Sequence, residues 1–430
     1  MLFNHGDELK ITMSNLEETF QSDGAGTGMG TSDTGALRVV LVHDWLIGMR
    51  GGEKVLDALC ECFPHAPLWT LLYAPHELSK AITDRPIHTS ILQHLPLAAS
   101  KYRYYLPLFP LFAEFNRVTD ADVAISTSHA VAKSMVKRDK RGRPIHICYM
   151  HTPMRYIWDR YDDYFGAERV GKLKSGFLYR PVAKMLQRYD VKTVSRVDMF
   201  IANSTFVANR IKRIYAREAA VLPPPVDVDR FSVAVRCPQE WYLMVTALVP
   251  YKRVDHAIEV CASLKRRLKI VGTGPDERPL KALARSLGVD VEFCGFVTDD
   301  ELVDYYRQAR ALLFPGVEDF GIVPVEAIAA GCPVIALHEG GVIDTLTPST
   351  AVLYSEPTPD GLRTALLRFE SMGFEDAALR SRAREFSRDK FIRRFRALLA
   401  STLEEYGIPE AALDVEPLTT HAALALQDER

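Results

Sequence analysis

Two acidic residues eight positions apart, Glu318 and Glu326, bracket the run Glu318-Asp-Phe-Gly-Ile-Val-Pro-Val-Glu326. A short apolar stretch ending at Phe314 precedes the run, and a helix is expected to begin inside it. Pro324 falls near that start, where its fixed φ and missing N–H are tolerated. The first turn of a helix leaves backbone N–H groups unpaired, and Gly321 lets the backbone come close to a ligand. Such an end attracts anions, and its free amides can also hold sugar hydroxyls. A carboxylate takes two neighbouring hydroxyls as a fork, so Glu318 and Glu326 suit vicinal diols. A plainer reading also stands: Glu326 favours the helix dipole and Glu318 is a solvated loop charge.

His151 is followed by Thr152 and Pro153 at the end of another apolar run, and on its own reads more readily as a packed or hydrogen-bonded histidine than as a site residue. His43 and His129 stand at similar places, with His129 as a supporting group. Asp120-Ala-Asp122 and Asp227-Val-Asp229 carry the D-x-D spacing of some divalent-metal sites. One pair opens a strand and the other follows three prolines, so both read as turn and cap residues and no metal is predicted. Cys60 and Cys62 are the one close pair among seven cysteines, too few for a zinc site, and all seven read as core thiols of a reducing compartment.

The elements that must position these groups are α/β. Fifty-three Lys and Arg against fifty-five Asp and Glu leave a net charge of -2, which does not favour a duplex-binding protein, so no nucleic-acid partner is expected. At 430 residues the chain is long enough for two or three domains. No apolar run reaches the ~20 residues that span a bilayer, and Met1 to Lys10 lacks the apolar core of a secretory signal, so a cytoplasmic protein is expected. Residues 1–36, rich in Gly, Ser, Thr and Asp from Gln21 to Gly35, read as a disordered extension.

From Leu37 short β-branched runs alternate with helical stretches. Leu37–His43, Pro67–Tyr73, Asp122–Ser126, Ile145–Met150 and Met199–Ala202 read as strands of a parallel sheet covered on both faces. Leu222-Pro-Pro-Pro-Val226 then interrupts the pattern, and 222–230 reads as a hinge. The pattern restarts with Tyr242–Val245, Lys269–Val271, Val291–Phe293, Ala311–Phe314 and Pro333–Ala336, with a helix over Ala257–Lys265. Two doubly wound lobes follow, 37–221 and 231–385, facing across a cleft into which the loops after the strands project. A long amphipathic stretch, about Asp376 to Tyr406, ends the ordered chain. Its portion 386–410 is expected to return to the first lobe, and 411–430 to be a tail.

These motifs together resemble glycosyltransferase family 4, the retaining enzymes of GT-B fold, in the dialect of the bacterial mannosyltransferases of O-antigen and exopolysaccharide synthesis. The acidic run is similar to the family's E-x7-E signature. His43-Asp-Trp-Leu46 with Gly51-Gly-Glu-Lys54 resembles its first-strand loop, and His151-Thr-Pro153 its H-x-P segment. Ala202 to Arg210 and Pro223 to Asp227 resemble the approach to its hinge. Leu248-Val-Pro-Tyr-Lys-Arg253 and Gly272-Thr-Gly-Pro275 resemble its phosphate-side loops. The likeness runs in family order from about Leu37 to Ile343.

The resemblance implies a nucleoside-diphosphate sugar as co-substrate, with no cofactor and no metal. Glu318 would hold the donor-sugar hydroxyls, helped by amides of Phe320, Gly321 and Ile322. Glu326 would bind the ribose diol. Lys252, with Arg253, would neutralise the diphosphate, and Gly51 and Gly52 would let the first-lobe backbone reach it. Gly272 and Gly274 would line the phosphate side, Phe296 and Val297 would offer backbone groups to the base, and His151 would sit beside the reacting carbon. The dialect implies GDP-mannose and, as acceptor, a glycan or polyprenyl-diphosphate-linked oligosaccharide on the inner membrane leaflet.

One departure stands out: Ala247 occupies a place where the family usually has Arg, leaving Arg253, Arg50 and Lys54 as replacement cations. The alternatives are a UDP-sugar donor, a sugar-nucleotide epimerase or phosphorylase, and a non-catalytic GT-B scaffold. Lys101 to Phe115, with Lys101, Arg103 and three tyrosines beside an apolar stretch, reads either as a peripheral membrane contact or as a lobe helix with its aromatics in the core. Phe165 to Arg217 adds twelve Lys and Arg against three Asp and Glu, a solvated face or one for an anionic lipid or acceptor.

Overall fold

The structure, a computed structural model, describes residues 37–75, 77–118, 120–159, 161, 179–232 and 235–409. The expected extension 1–36, the tail 411–430 and the part 162–178 of the basic run lie outside the described residues.

Val39–His43 (β1), Leu68–Thr70 (β2), Ile87–Thr89 (β3), Val123–Ser128 (β4), Ile145–Met150 (β5), Met199–Ala202 (β6) and Ala220–Val221 (β7) form one parallel sheet in the order β3-β2-β1-β4-β5-β6-β7. Trp241–Val245 (β8), Arg267–Val271 (β9), Val291–Gly295 (β10), Leu312–Phe314 (β11), Val334–Leu337 (β12) and Ala351–Tyr354 (β13) form a second, in the order β10-β9-β8-β11-β12-β13. The ten strands read from the sequence are all present, their ends moved by up to three residues. The three not foreseen, β3, β7 and β13, are edge strands of two to four residues.

Alternation along each strand assigns its side chains to two covered faces. In β1, Leu41 enters one core while Val40 and Val42 enter another. In β8, Trp241 and Leu243 divide in the same way from Tyr242 and Met244. In both sheets strand order reverses between two neighbours, β1 and β4 in the first, β8 and β11 in the second. Ligands of open α/β sheets bind outside the carboxyl ends of strands at such switch points. His43, Ser128 and Phe314 therefore end strands at the two places where a ligand would lie.

The chain crosses between lobes twice. Leu222 belongs to the first-lobe core and Val226, four residues on, to the second-lobe core. The short helix Val228–Ser232 already packs in the second lobe through Val228 and Phe231, so the crossing is confined to the prolines. The C-terminal stretch is two helices rather than one. Asp376–Arg384 buries Leu379 and Ala383 in the second lobe, and Arg388–Glu405 buries Phe391, Phe395, Leu399 and Leu403 in the first. They part at Phe386 and Ser387, where the backbone turns extended and the Phe386 carbonyl accepts the Val226 N–H at 2.9 Å. The two crossings thus lie side by side. Among the described residues no helix is long and apolar enough to cross a membrane.

Candidate functional site

The first-lobe wall of the cleft is built on the ends of β1, β4 and β5. Asp44, just past β1, is fully buried. Its carboxylate accepts the backbone N–H groups of His129 (2.7 Å), Ala130 (2.9 Å), Val131 (2.6 Å) and Ala132 (2.6 Å), and lies 3.2 Å from Nδ1 of His129. A buried carboxylate persists only when its lone pairs are met. Here it fixes the turn after β4. His43 bonds Oγ1 of Thr127 through Nδ1 at 2.6 Å, and its Nε2 stands 3.9 Å from the buried Glu53. Three imidazoles line this wall, with ring centres 6.4 Å apart for His43 and His129 and 6.2 Å for His129 and His151.

His151 follows β5, and its Nε2 is buried without a hydrogen-bond partner. Burial depresses its pKa to about 3, and the neighbouring His129 and His43 push the same way. It is therefore a neutral imidazole at physiological pH. A Cβ on Gly52 would lie 3.4 Å from that Nε2, so the opening turn of the helix Gly51–Cys62 runs directly past the ring.

The second-lobe wall carries the acidic run. Gly321, at φ 86°, is the N-cap of the helix Ile322–Ala329. A Cβ on Gly51 would come within 2.9 Å of Cδ1 of Ile322, so the amino ends of the Gly51 and Ile322 helices meet across the cleft. Each presents unpaired backbone N–H groups and the positive end of its dipole. Glu318 is in contact with Nζ of Lys252. Glu326 is buried, accepts the Tyr306 hydroxyl at 3.2 Å and lies 3.8 Å from Nζ of Lys54, which reaches over from the first lobe. Burial raises the Glu326 pKa, opposed by Lys54 and the Tyr306 hydrogen bond.

The Glu318 loop is clamped from behind. The Gly341 N–H bonds the Glu318 carbonyl at 2.9 Å. A Cβ on Gly340 or Gly341 would fall 2.4 Å from that carbonyl or 2.2 Å from Cα of Phe320. Gly316 gives similar room to the Lys252 backbone, 2.9 Å from where its Cβ would be. The sequence reading did not single out these glycines, although a Gly-Gly pair after a strand is a visible signal.

His151, Glu318, Lys252, Gly51, Gly52, Phe320, Gly321, Ile322 and Glu326 thus stand on the two facing walls. For the others the structure shows local contacts. Arg253 turns its side chain to Asp255 at 3.0 Å and to His256. Of the three replacements for the Ala247 position, Lys54 is the one that meets a cleft carboxylate. Gly272 and Gly274 are required by their neighbours: Cβ atoms there would fall 2.0 Å from the Thr246 carbonyl and 2.3 Å from the Leu248 carbonyl. Phe296 projects from the loop after β10 with 85% of its surface exposed, and Val297 packs on the core beside it. Asp120 and Asp122 both pair with Arg38, and Asp227 with Arg230 at 3.4 Å. The Lys101–Phe115 segment divides between its two readings. Tyr102, Phe109 and Phe112 are core residues, whereas Leu108, Leu111 and Phe115 are exposed beside Lys101 and Arg103.

Comparison with known proteins bears on this geometry. The family model described as Glycosyltransferase Family 4 matches residues 49–230, and Glycosyl transferases group 1 matches 226–388, the two meeting at the first crossing. A Mycobacterium tuberculosis (strain CDC 1551 / Oshkosh) protein named GDP-mannose-dependent alpha-(1-6)-phosphatidylinositol monomannoside mannosyltransferase is 32% identical over 199 residues, 40% of this chain. That match spans about half of the relative, 51% of its length. The Homo sapiens alpha-1,3/1,6-mannosyltransferase ALG2 is 26% identical over 77% of this chain and 86% of its own. Among solved structures, the lipopolysaccharide outer core galactosyltransferase WaaB superposes with TM-score 0.60 at 16% identity, covering 84% of this chain and 99% of its own. The Anabaena HepE protein in complex with UDP and glucose gives 0.59 at 15% identity, over 85% of this chain and 100% of its own. At such identities the last two speak for the fold, two Rossmann-like lobes in the GT-B arrangement.

Proposed function

The chain belongs to glycosyltransferase family 4, and on that premise we propose that it transfers mannose from GDP-mannose, with retention of configuration, to a lipid-linked oligosaccharide. The observation that carries this reading is the convergence, at the two switch points, of two helix amino ends, two lysines, two glutamates and a neutral histidine. Breaking a glycosyl–phosphate bond drives negative charge onto the departing diphosphate. Fixed positive ends stabilise that charge more in the transition state than in the ground state. Lys252 and Lys54, with the amides opening at Gly51 and Ile322, are the groups for it, and Lys54 takes the part left open by Ala247. No metal is needed in this scheme.

Lys252 and Glu318 touch each other. Donor binding redistributes that contact: the ammonium turns to the phosphate and the carboxylate to the sugar hydroxyls. Glu326, already desolvated, suits the ribose diol. His151 offers an unpartnered Nε2 to the hexose. No carboxylate is assigned as a nucleophile, so attack comes from the face the diphosphate leaves, and a departing phosphate oxygen takes the acceptor's proton. Mannosyl transfer is supported by the named activities of both mannosyltransferase relatives, and GDP-mannose with a lipid-borne acceptor by the name of the Mycobacterium tuberculosis one. The exposed Leu108, Leu111 and Phe115 beside Lys101 and Arg103 suit a peripheral contact with an anionic leaflet, where such an acceptor would be held.

A panel of nucleotide sugars tests the reading by thermal shift in the presence of chelator. GDP-mannose is expected to raise the midpoint by mass action, and the protein to release GDP from it slowly. A shift with UDP-sugars alone would overturn the donor. An epimerised donor as product would overturn the reaction.

A further inference from the structure

Asp319 lies between Glu318 and Phe320, yet its own side chain turns away from the second lobe into the first. It is 9% exposed. One carboxylate oxygen accepts Nη1 of Arg210 at 2.7 Å, and the other lies 3.2 Å from Nε of Arg155. The same Nη1 of Arg210 donates to Oγ1 of Thr152 at 2.8 Å, and its Nε pairs with Asp159 at 2.7 Å. Thr152 is the residue after His151. The backbone makes a second connection. The Ser204 hydroxyl, N-cap of the helix Thr205–Tyr215, donates to the Asp319 carbonyl, and the adjoining Asn203 amide holds the His151 carbonyl at 3.0 Å. Beside it Asp344 of the second lobe accepts the Thr205 N–H at 2.6 Å, a carboxylate at the positive end of a first-lobe helix.

We propose that Asp319 is a positioning residue that registers Glu318 against His151 across the cleft, with Arg210 as its principal partner. It rests on the reading above only in taking Glu318 and His151 as the two halves of one site. The physical need is specific. Transfer between lobes requires groups from both to be set within about 1 Å, and a misplacement of that size costs up to about 100-fold. Ordinary loop–loop contact does not supply such accuracy. A planar guanidinium forked among a threonine hydroxyl and two carboxylates does, because its donors have fixed directions. The tie ends one residue from Glu318 and one residue from His151. Every member of the tie belongs to the chain itself, so its ordering cost is met by folding. Asp319 is thereby distinguished from its neighbour: Glu318 is free to exchange partners because Asp319 is not.

A double-mutant cycle tests this on the full chain. Asp319→Asn, Arg210→Lys and the pair are compared for turnover of GDP-mannose, and for the distance between labels on Cys237 of the second lobe and an introduced Lys140→Cys of the first, both exposed. Each single variant is expected to lose about 10-fold or more in kcat, with donor KM within about threefold, and the double variant no more than either. The ligand-free label distance is expected to lengthen and broaden. Losses that multiply in the double variant, or folded variants with unchanged kcat and label distance, would overturn the proposal. If wild-type protein turns over no nucleotide sugar, the proposed function fails, and the label distance alone decides the clasp.

Discussion

On the first-lobe wall the Asp44 carboxylate takes four backbone N–H groups and has no freedom left, whereas on the second-lobe wall Glu318 meets a single flexible ammonium, Lys252. The same functional group thus serves two ends. Asp44 satisfies buried donors and holds a turn in place, so its bonds are part of the fold. Glu318 pairs with a partner that can leave it, so its bond can be traded for a ligand. The walls differ in charge as well: a histidine kept neutral by burial on one side, a carboxylate under desolvation pressure on the other. A cleft of this kind has one wall that fixes geometry and one that carries exchangeable charge.

The largest effects should separate the walls most sharply. Lys252→Ala and Glu318→Ala are each expected to cut turnover by about 10³-fold, the scale seen when a transition-state charge contact is removed, while leaving the unfolding midpoint nearly unchanged. Asp44→Ala is expected to do the reverse in kind. It strands four N–H groups, three of them buried, each worth about 1 kcal/mol or more, and should destabilise the chain by about 3 kcal/mol or more in urea unfolding. Equal stability losses at Asp44 and Glu318 would erase the distinction.

A smaller effect sharpens it through pH. The native chain holds His151 unprotonated down to about 3, against an ordinary 6.5 in the unfolded chain. Between those values the unfolded state binds more protons, so stability falls as pH drops through that window. His151→Asn is expected to make the loss between pH 7 and pH 5 shallower. Glu326 has the opposite sign. Its pKa is raised above the ordinary 4.5, so the native state holds the extra proton and stability falls as pH rises above that value. Glu326→Gln should raise the midpoint at pH 8 by roughly 2 °C or more and change it little at pH 4, while weakening nucleotide binding. A stabilisation of the same size at both pH values would place Glu326 in an ordinary solvated setting.

Much of this was legible in the sequence, for reasons the structure makes plain. Glu318 sits in the loop after a buried strand, Glu326 in the helix that follows that loop, and Lys252 in a short turn after another strand, and the apolar runs mark those strands clearly. The two-lobe order could be read because the triple proline permits neither helix nor central strand. What could not be read depends on distance along the chain. Arg210 and Asp319 are 109 positions apart, and neither spacing nor composition pairs them. Asp44 gave no sign that it would gather the amides of 129–132, because those donors are backbone and have no residue type. Gly272 and Gly274 suggested a phosphate loop, yet the carbonyls of Thr246 and Leu248 already require both. The C-terminal stretch looked like one amphipathic helix because Phe386 and Ser387 do not interrupt its periodicity. Only pairing with Val226 breaks it there.

Hydrogen exchange with and without GDP-mannose tests the meeting of the two walls most directly. The account predicts that the amides opening the helix at Gly51–Lys54 and those at Gly321–Val323 slow together, in wild type and not in Lys252→Ala. Protection confined to one of these two segments, or appearing only outside the cleft, would contradict it.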